Sequence, residues 1–494
     1  GTPPAGFSRY GTMGIAAPSI TKPSDYFLPI VYEGNGAGQR VGNFIPFTDT
    51  FAVGASARCD ADADYMTKTF GSSTDAQRRT WSLSLWFKVG TLGGKIFYSS
   101  RTGSGHSDYA GLNSSDLLYW TGEDGTGDSF ELKTNRTFKA TDGWTHVLFH
   151  FDSTGATPGA SDIYMAVNGV IQVTADLATE TYPNQNFETD FLSTTENVLF
   201  SWTVDKSDSW DGYIAEVVCT AGTAYAASSF GETDTSTNRW IPKDPSGLTF
   251  GANGFYLDFA DGNDLGDDES GNGNDWTEAG FDTTNGSNQM YGTPSQNFAV
   301  YDPSNLPGST TLTQGNLAFT TTSGSWRLLD SGVGIPDSGT WYWETLIESI
   351  SSANFGVGFL GISYTADLGA DVYGWGYQSY NGTIKHGGSE YTYGATYTSG
   401  DVIGCAYNAD TKILYFSKNG NWSDGAGNMD VTDFASAVGF SGVLADTGSG
   451  PLFIFNGLHT AGTATLNTGQ WRYFDGATLS LDSDAGGYFR YTAP

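Results

Sequence analysis

Apolar and polar positions alternate along most of this chain, and no long stretch shows the 3.6-residue spacing of an amphipathic helix. "WSLSLWFKV" (81–89) sets Trp81, Leu83, Leu85, Phe87 and Val89 on one face and Ser82, Ser84, Trp86 and Lys88 on the other. A period of two marks a strand with one buried face, so 81–89 is predicted to be a half-buried strand. "DGWTHVLFHFD" (142–152), "DIYMAVNGVIQV" (162–173) and "DGYIAEVVC" (211–219) follow, each opened or broken by turn residues. Asn168-Gly169 separates two apolar runs, and because both residues tolerate positive φ the pair predicts a tight hairpin. "CAYNADTKILYFSKNGNWSDG" (405–425) reads as strand, turn, strand, and a second turn at Lys418-Asn419-Gly420-Asn421. An all-β chain with almost no helix is expected.

Composition strengthens that expectation. The 494 residues include 67 glycines, 15% aromatics and only 15% charged residues, where an average globular chain carries about 25% charged residues. Strong helix formers are scarce, and the abundance of Gly, Ser, Thr, Asn and aromatics favours strands joined by tight turns. At roughly 150 residues per domain, the length suits two or three domains. Lys and Arg total 22 against 54 Asp and Glu, a formal charge of −32. That surface repels nucleic-acid phosphates and anionic membranes, so neither nucleic acid nor membrane insertion is expected. No run approaches the length of a spanning helix. The opening "GTPPAGFSRYGTMGIAAPSI" lacks a basic head and apolar core and does not read as a signal peptide. Cys59, Cys219 and Cys405 are odd in number and far apart, and read as buried hydrophobes. Pro3, Pro4, Pro18, Pro23 and Pro29 keep regular structure out of residues 1–45. Those residues are expected to form an extended arm that orders against a neighbouring subunit, with a frayed tail as the alternative.

Ordered landmarks then divide the rest. Within 46–260, Trp86-Phe87, Asp142 to Val147, Val167 to Val170 and Asp211 to Val217 follow one another in an order that resembles laminin-G-like, concanavalin A-type domains. Within 304–494, Trp341 to Glu344, Gly400 to Gly404, Phe416 to Gly420 and Asn467 to Gln470 follow an order similar to that of a SPRY domain. Between them, 261–303 is rich in turn and acidic residues and reads as a structured join. The succession of these three segments resembles structural proteins of tailed bacteriophages, especially marine ones. What the resemblance implies is two antiparallel jelly-roll β-sandwiches, one concanavalin A-like and one SPRY-like, behind an N-terminal arm.

Candidate chemistry is sparse. Glucanases of the concanavalin A-type fold place acids at alternate positions of one strand, and the nearest match is "ETLIE", Glu344 to Glu348. Its middle member is Leu346, and at about 3.4 Å per residue the outer acids stand more than about 13 Å apart, too far for either glycosidase geometry. His106, His146, His150, His386 and His459 show no metal-ligand spacing, and no nucleophile elbow or phosphate loop is present. Two acidic clusters suit calcium, which takes six to eight oxygen ligands. They are Asp60, Asp62 and Asp64, and the run containing Asp261, Asp264 and Asp268. Laminin-G-like sandwiches often hold calcium at a rim, so calcium is the one candidate cofactor; solvated acidic loops are the alternative. For gripping a sugar, the candidate rings are Trp375, Tyr377, Tyr380, Tyr391 and Tyr393 in the second block and Trp120, beside Glu123 and Asp124, in the first. The alternative is that the SPRY pattern itself requires several of these aromatics.

The resemblance and the absence of a placed acid pair together imply a non-enzymatic virion surface protein that adheres to host-surface glycans. Expected partners are other virion proteins through the arm and further copies of the chain, with a trimer favoured. A head-decoration or collar protein without a ligand is the alternative from another class, and a glycan-degrading enzyme is a third.

Overall fold

The computed structural model describes residues 51–494 except 61–63, 104, 236–237, 283–285, 337–338, 360–361, 442–451, 475, 480, 483–486 and 492. The arm expected over 1–45, and Asp62, lie outside the described residues. Antiparallel sheets account for nearly all regular structure, and the one α-helix among the described residues is the five-residue Asp75–Arg79. Among them no helix is long and apolar enough to cross a membrane.

The first sandwich faces two eight-stranded sheets. One runs Val170–Ile171, Ile163–Val167, Thr145–Asp152, Thr80–Val89, Asp211–Ala221, Ser56–Asp60, Gln289–Met290, with Phe255–Leu257 also paired to Asp211–Ala221. The other runs Leu177–Thr181, Ser129–Thr137, Leu117–Asp124, His106–Leu112, Lys95–Gly103, Glu196–Leu199, Tyr65–Thr69, Thr277–Ala279. Trp81, Leu83, Leu85 and Phe87 meet Trp120, Phe130 and Phe97 between them, as period-two alternation requires.

The second sandwich pairs a nine-stranded sheet with a six-stranded one. Thr340–Ser349, Val402–Asn408 and Ile413–Lys418 are neighbours in the larger sheet, while Ser352–Phe359, Gly374–Gln378, Thr383–His386 and the edge strand Ser389–Thr392 build one side of the smaller. Both expected tight turns form: Asn168 and Gly169 have φ of 47° and 77°, and Asn419 and Gly420 have 51° and 82°.

Two sequence expectations need correction. Strand Thr80–Val89 is buried on both faces, because its outer face is covered as well. Trp86 packs with Trp144, Tyr213, Val402 and Trp471 at the seam between the sandwiches. The boundary at 260 also moves. Leu265, Trp276 and Phe281 belong to the first core, and Thr277–Ala279 and Gln289–Met290 pair into its two sheets. The acidic turns fold back because Asp268 accepts hydrogen bonds from the backbone of Tyr256, Ser270 and Asn274. Its carboxylate organises the loop instead of facing solvent.

The seam combines apolar packing with specific hydrogen bonds. Besides its apolar cluster, the Tyr213 hydroxyl donates to Gly315 O at 2.8 Å and Asn316 Nδ2 to Gly90 O at 2.9 Å. The buried Arg58 guanidinium lies 4.4 Å above the Trp471 ring, whose Nε1 donates to Ser287 O. An apolar, hydrogen-bonded interface of this kind resists the relative motion that a tethered pair of domains would show.

Candidate functional site

The structure separates the aromatic residues singled out in the sequence. Trp120, Trp375, Tyr377 and Tyr393 are 0%, 2%, 0% and 3% exposed. These four are core residues and present no ring face to a ligand. Trp120 Nε1 donates to the Tyr98 hydroxyl at 2.8 Å, and the Tyr393 hydroxyl accepts from Phe416 N at 2.8 Å. Trp375 stacks on His386 at 4.5 Å, and the Tyr377 hydroxyl donates to Ala395 O. Tyr380 and Tyr391 remain exposed, at 53% and 44%. Glu390 accepts from the Tyr380 hydroxyl at 3.0 Å and from Asn381 Nδ2 at 2.9 Å. Tyr391 stands opposite Ile384 in the strand register and Glu390 opposite Lys385, so alternation sends Tyr391 to the other face, where it meets Phe440 at 5.3 Å.

A better-formed site lies on the outer face of the first sandwich. In His106–Leu112, Asp108, Ala110 and Leu112 point to the core and Tyr109 points out; in Leu117–Asp124, Leu118 and Trp120 point in while Tyr119 and Thr121 point out. The loop between Glu196–Leu199 and Asp211–Ala221 adds Trp202. It is held by Trp202 N to Ser207 O at 2.9 Å, Trp210 N to Phe200 O at 2.7 Å, and Ser99 Oγ to Ser201 O at 2.7 Å. Trp202 meets Tyr109 edge-on at 4.8 Å, and Tyr109 meets Tyr119 at 5.6 Å. Lys133 Nζ sits 5.9 Å over the Tyr119 ring and 3.4 Å from Glu131. All five side chains are partly exposed. Burial, with the neighbouring Tyr109 hydroxyl, pushes the Tyr119 phenol well above its ordinary range, so it stays a neutral donor.

The row offers apolar ring surface flanked by one cation, one carboxylate and several hydroxyls. That is chemistry for holding a polar, hydroxyl-rich ligand with C–H faces, and it contains no paired acids placed for catalysis. Sequence reasoning chose Trp120 and passed over its neighbour Tyr119. The signal was available in the alternation of "LLYWTGED", but its parity had to be anchored to a known core residue.

The acidic candidates do not converge. Asp64 Oδ2 accepts from Asp60 N at 2.7 Å, Asp60 pairs with Arg58 at 3.1 Å, and burial raises Asp64 to about 6. Asp261 accepts from Asn263 N, and burial, with the adjacent Glu278, raises Asp264 to about 6. Among the described residues no three His, Cys, Asp or Glu side chains gather closely enough to hold a metal. Glu344 is buried and accepts from Arg490 N and Tyr491 N, whereas Glu348 is exposed. The three cysteines are buried and unpaired with one another. Ser84 Oγ and His146 Nε2 are 2.8 Å apart, yet both are sealed, and burial lowers His146 to about 3. A base that weak and inaccessible is not a nucleophile's partner.

Comparison with known proteins agrees with the two-block layout. Residues 60–221 match the family model described as the concanavalin A-like lectin/glucanases superfamily, and residues 340–467 match the SPRY domain model. A probable ATP-dependent RNA helicase, ddx1, of Dictyostelium discoideum is 32% identical over 98 residues, 20% of this chain and 12% of that protein. A Ran-binding proteins 9/10 homolog of Drosophila melanogaster is 37% identical over 95 residues, 17% of this chain and 10% of that protein. The chain thus spans about a tenth of the length of these curated relatives. Among solved structures, the SPRY domain of human HERC1 is 18% identical, with a TM-score of 0.27, over 34% of this chain and 96% of that one. A second human SPRY domain is 15% identical, with a TM-score of 0.25, over 32% of this chain and 95% of that one.

Proposed function

We propose that this chain is a non-catalytic adhesive protein that holds surface glycans on the row Trp202–Tyr109–Tyr119. The observation that carries the reading is that row itself: three partly exposed rings, Tyr109 touching both Trp202 and Tyr119, flanked by Thr121, Glu131 and Lys133. Support also comes from the pairing of two domains of binding type in one chain. The strong negative charge disfavours phosphate-rich polymers, so neutral sugars are the expected class. Single shallow sites bind weakly, and repetition on a particle raises avidity by a factor on the order of 10² to 10⁴. Tyr380, Asn381 and Glu390 form a second, smaller exposed patch on the other sandwich that serves as a comparison.

The finer assignment, a bacteriophage virion component displayed on the particle surface, rests on the order of the sandwiches and the join. In it the arm attaches to other virion proteins, copies assemble as a trimer, and any calcium bridges sugar to acidic loops. The test is binding of the full chain to immobilised envelope polysaccharides, comparing wild type with Trp202→Ala, Tyr119→Ala and Tyr380→Ala, with and without a chelator. The row predicts at least a tenfold loss for the first two variants, about 1.4 kcal/mol, and no new reducing ends. Released sugars would establish an enzyme. Absence of binding to any polysaccharide, even in multivalent form, would leave the decoration reading.

A further inference from the structure

Lys88 projects from the outer face of strand Thr80–Val89 into the seam and is 5% exposed. Buried lysines ordinarily pair with a carboxylate. Lys88 instead donates to the side-chain amide of Asn297, Nζ to Oδ1 at 2.9 Å, and to the backbone carbonyl of Phe298 at 2.7 Å. Among the described residues it forms no ion pair, and burial alone lowers it to about 7, so near neutral pH much of it is free amine. Asn297 Nδ2 has no hydrogen-bond partner among the described residues. Lys88, Asn297, Asp302 and Ser331 line one small pocket with room for a water-sized molecule.

We propose that Lys88 and Asn297 condense into an intramolecular isopeptide bond that ties the first sandwich to the join. The Nζ lone pair attacks Asn297 Cγ, the bond from Cγ to Nδ2 breaks, and a proton from Nζ passes to the departing nitrogen. The products are a secondary amide and ammonia, with no oxidant or reductant needed. An amine and an amide do not react at useful rates in free solution. Held against each other at the seam, they gain an effective concentration on the order of 10⁵ M or more once the amine turns from Oδ1 onto the amide carbon. The pair is 209 residues apart in sequence, so the bond would close nearly half the chain into a loop and lock the seam covalently.

The test is the intact mass of the full-length chain, before and after prolonged incubation above neutral pH, followed by proteolysis. The expected result is a mass lower than that of the sequence by one ammonia, together with a branched peptide joining Lys88 to Asn297. Asn297→Ala, a change at a partly exposed position, should fold and keep its full sequence mass. Succinimide formation at an Asn-Gly pair such as Asn168-Gly169 also releases ammonia, but it gives no branched peptide and persists in Asn297→Ala. A wild-type chain that keeps its full sequence mass, or an ammonia loss without the branched peptide, overturns the proposal.

Discussion

Replacing Glu344 should release the strap formed by residues 487–491, and the effect can be worked out from the contacts. The Glu344 carboxyl is 0% exposed and accepts from Arg490 N at 2.7 Å, Tyr491 N at 2.8 Å and the Tyr342 hydroxyl at 3.0 Å. In Glu344→Ala these three donors lose their acceptor. Only the Tyr342 hydroxyl is a fully buried donor, since Arg490 is exposed and Tyr491 half-buried and both can turn to water, so a loss of about 1–3 kcal/mol is expected. Lifting would expose Phe489, which packs 5.0 Å from Tyr342. Hydrogen exchange at 487–491 should therefore accelerate strongly in the Ala variant. The pH dependence gives an independent check. Burial raises Glu344 from 4.5 to about 7, outweighing the bonds from Arg490 and Tyr491 that act in the other direction. Between those values the folded chain keeps a proton that the unfolded chain has released. The stabilisation is fully present below pH 4.5 and is lost as pH rises through 7, a change of roughly 3 kcal/mol. Denaturant titrations across that window should show this fall in wild type and a flatter profile in Glu344→Gln. An unchanged slope in the Gln variant, or a protected strap in the Ala variant, would refute the reasoning.

Trp375→Ala should cost about 3–5 kcal/mol through a core cavity and should unfold the smaller sheet of the second sandwich, read as lost near-ultraviolet dichroism; a stable, merely binding-deficient variant would mean the ring is not core. Gly169→Val should be destabilising by more than 1 kcal/mol on the order-of-magnitude scale for strained turns, because φ is 77° and a Cβ there would meet the Trp240 ring at 2.4 Å; a thermal melt matching wild type would contradict it. His146 is held near 3 by burial, so its stabilising contribution is present above pH 6.5 and is lost as pH falls from there toward 3; His146→Gln should flatten the acid limb of a stability profile.

Much of the architecture was legible in residue order. Period-two alternation, Asn-Gly turns and the scarcity of helix formers are local signals, since each depends on backbone sterics and the burial of one strand face. They were enough for an all-β chain and for the hairpins at Asn168-Gly169 and Asn419-Gly420, whereas the two sandwiches were expected from the resemblance of the ordered landmarks to known families. What the chain order could not reveal was which face of each strand meets a second layer. Lys88, Trp86 and Ser84 look like a solvent face in sequence, and they are buried because the second sandwich and the 225–250 segment lie against them. The same uncertainty of parity hid the exposed aromatic row. Trp120 and Tyr119 are adjacent, equally aromatic and equally close to polar residues, yet the pleat sends one to the core and the other outward. The sequence by itself therefore determined strands and turns, because those follow from local geometry, and its ordered landmarks resembled two families of β-sandwich. Only the tertiary structure decided which rings, acids and amines share a surface or a seam, because that depends on contacts between segments that can lie 200 or more residues apart, as Lys88 and Asn297 do.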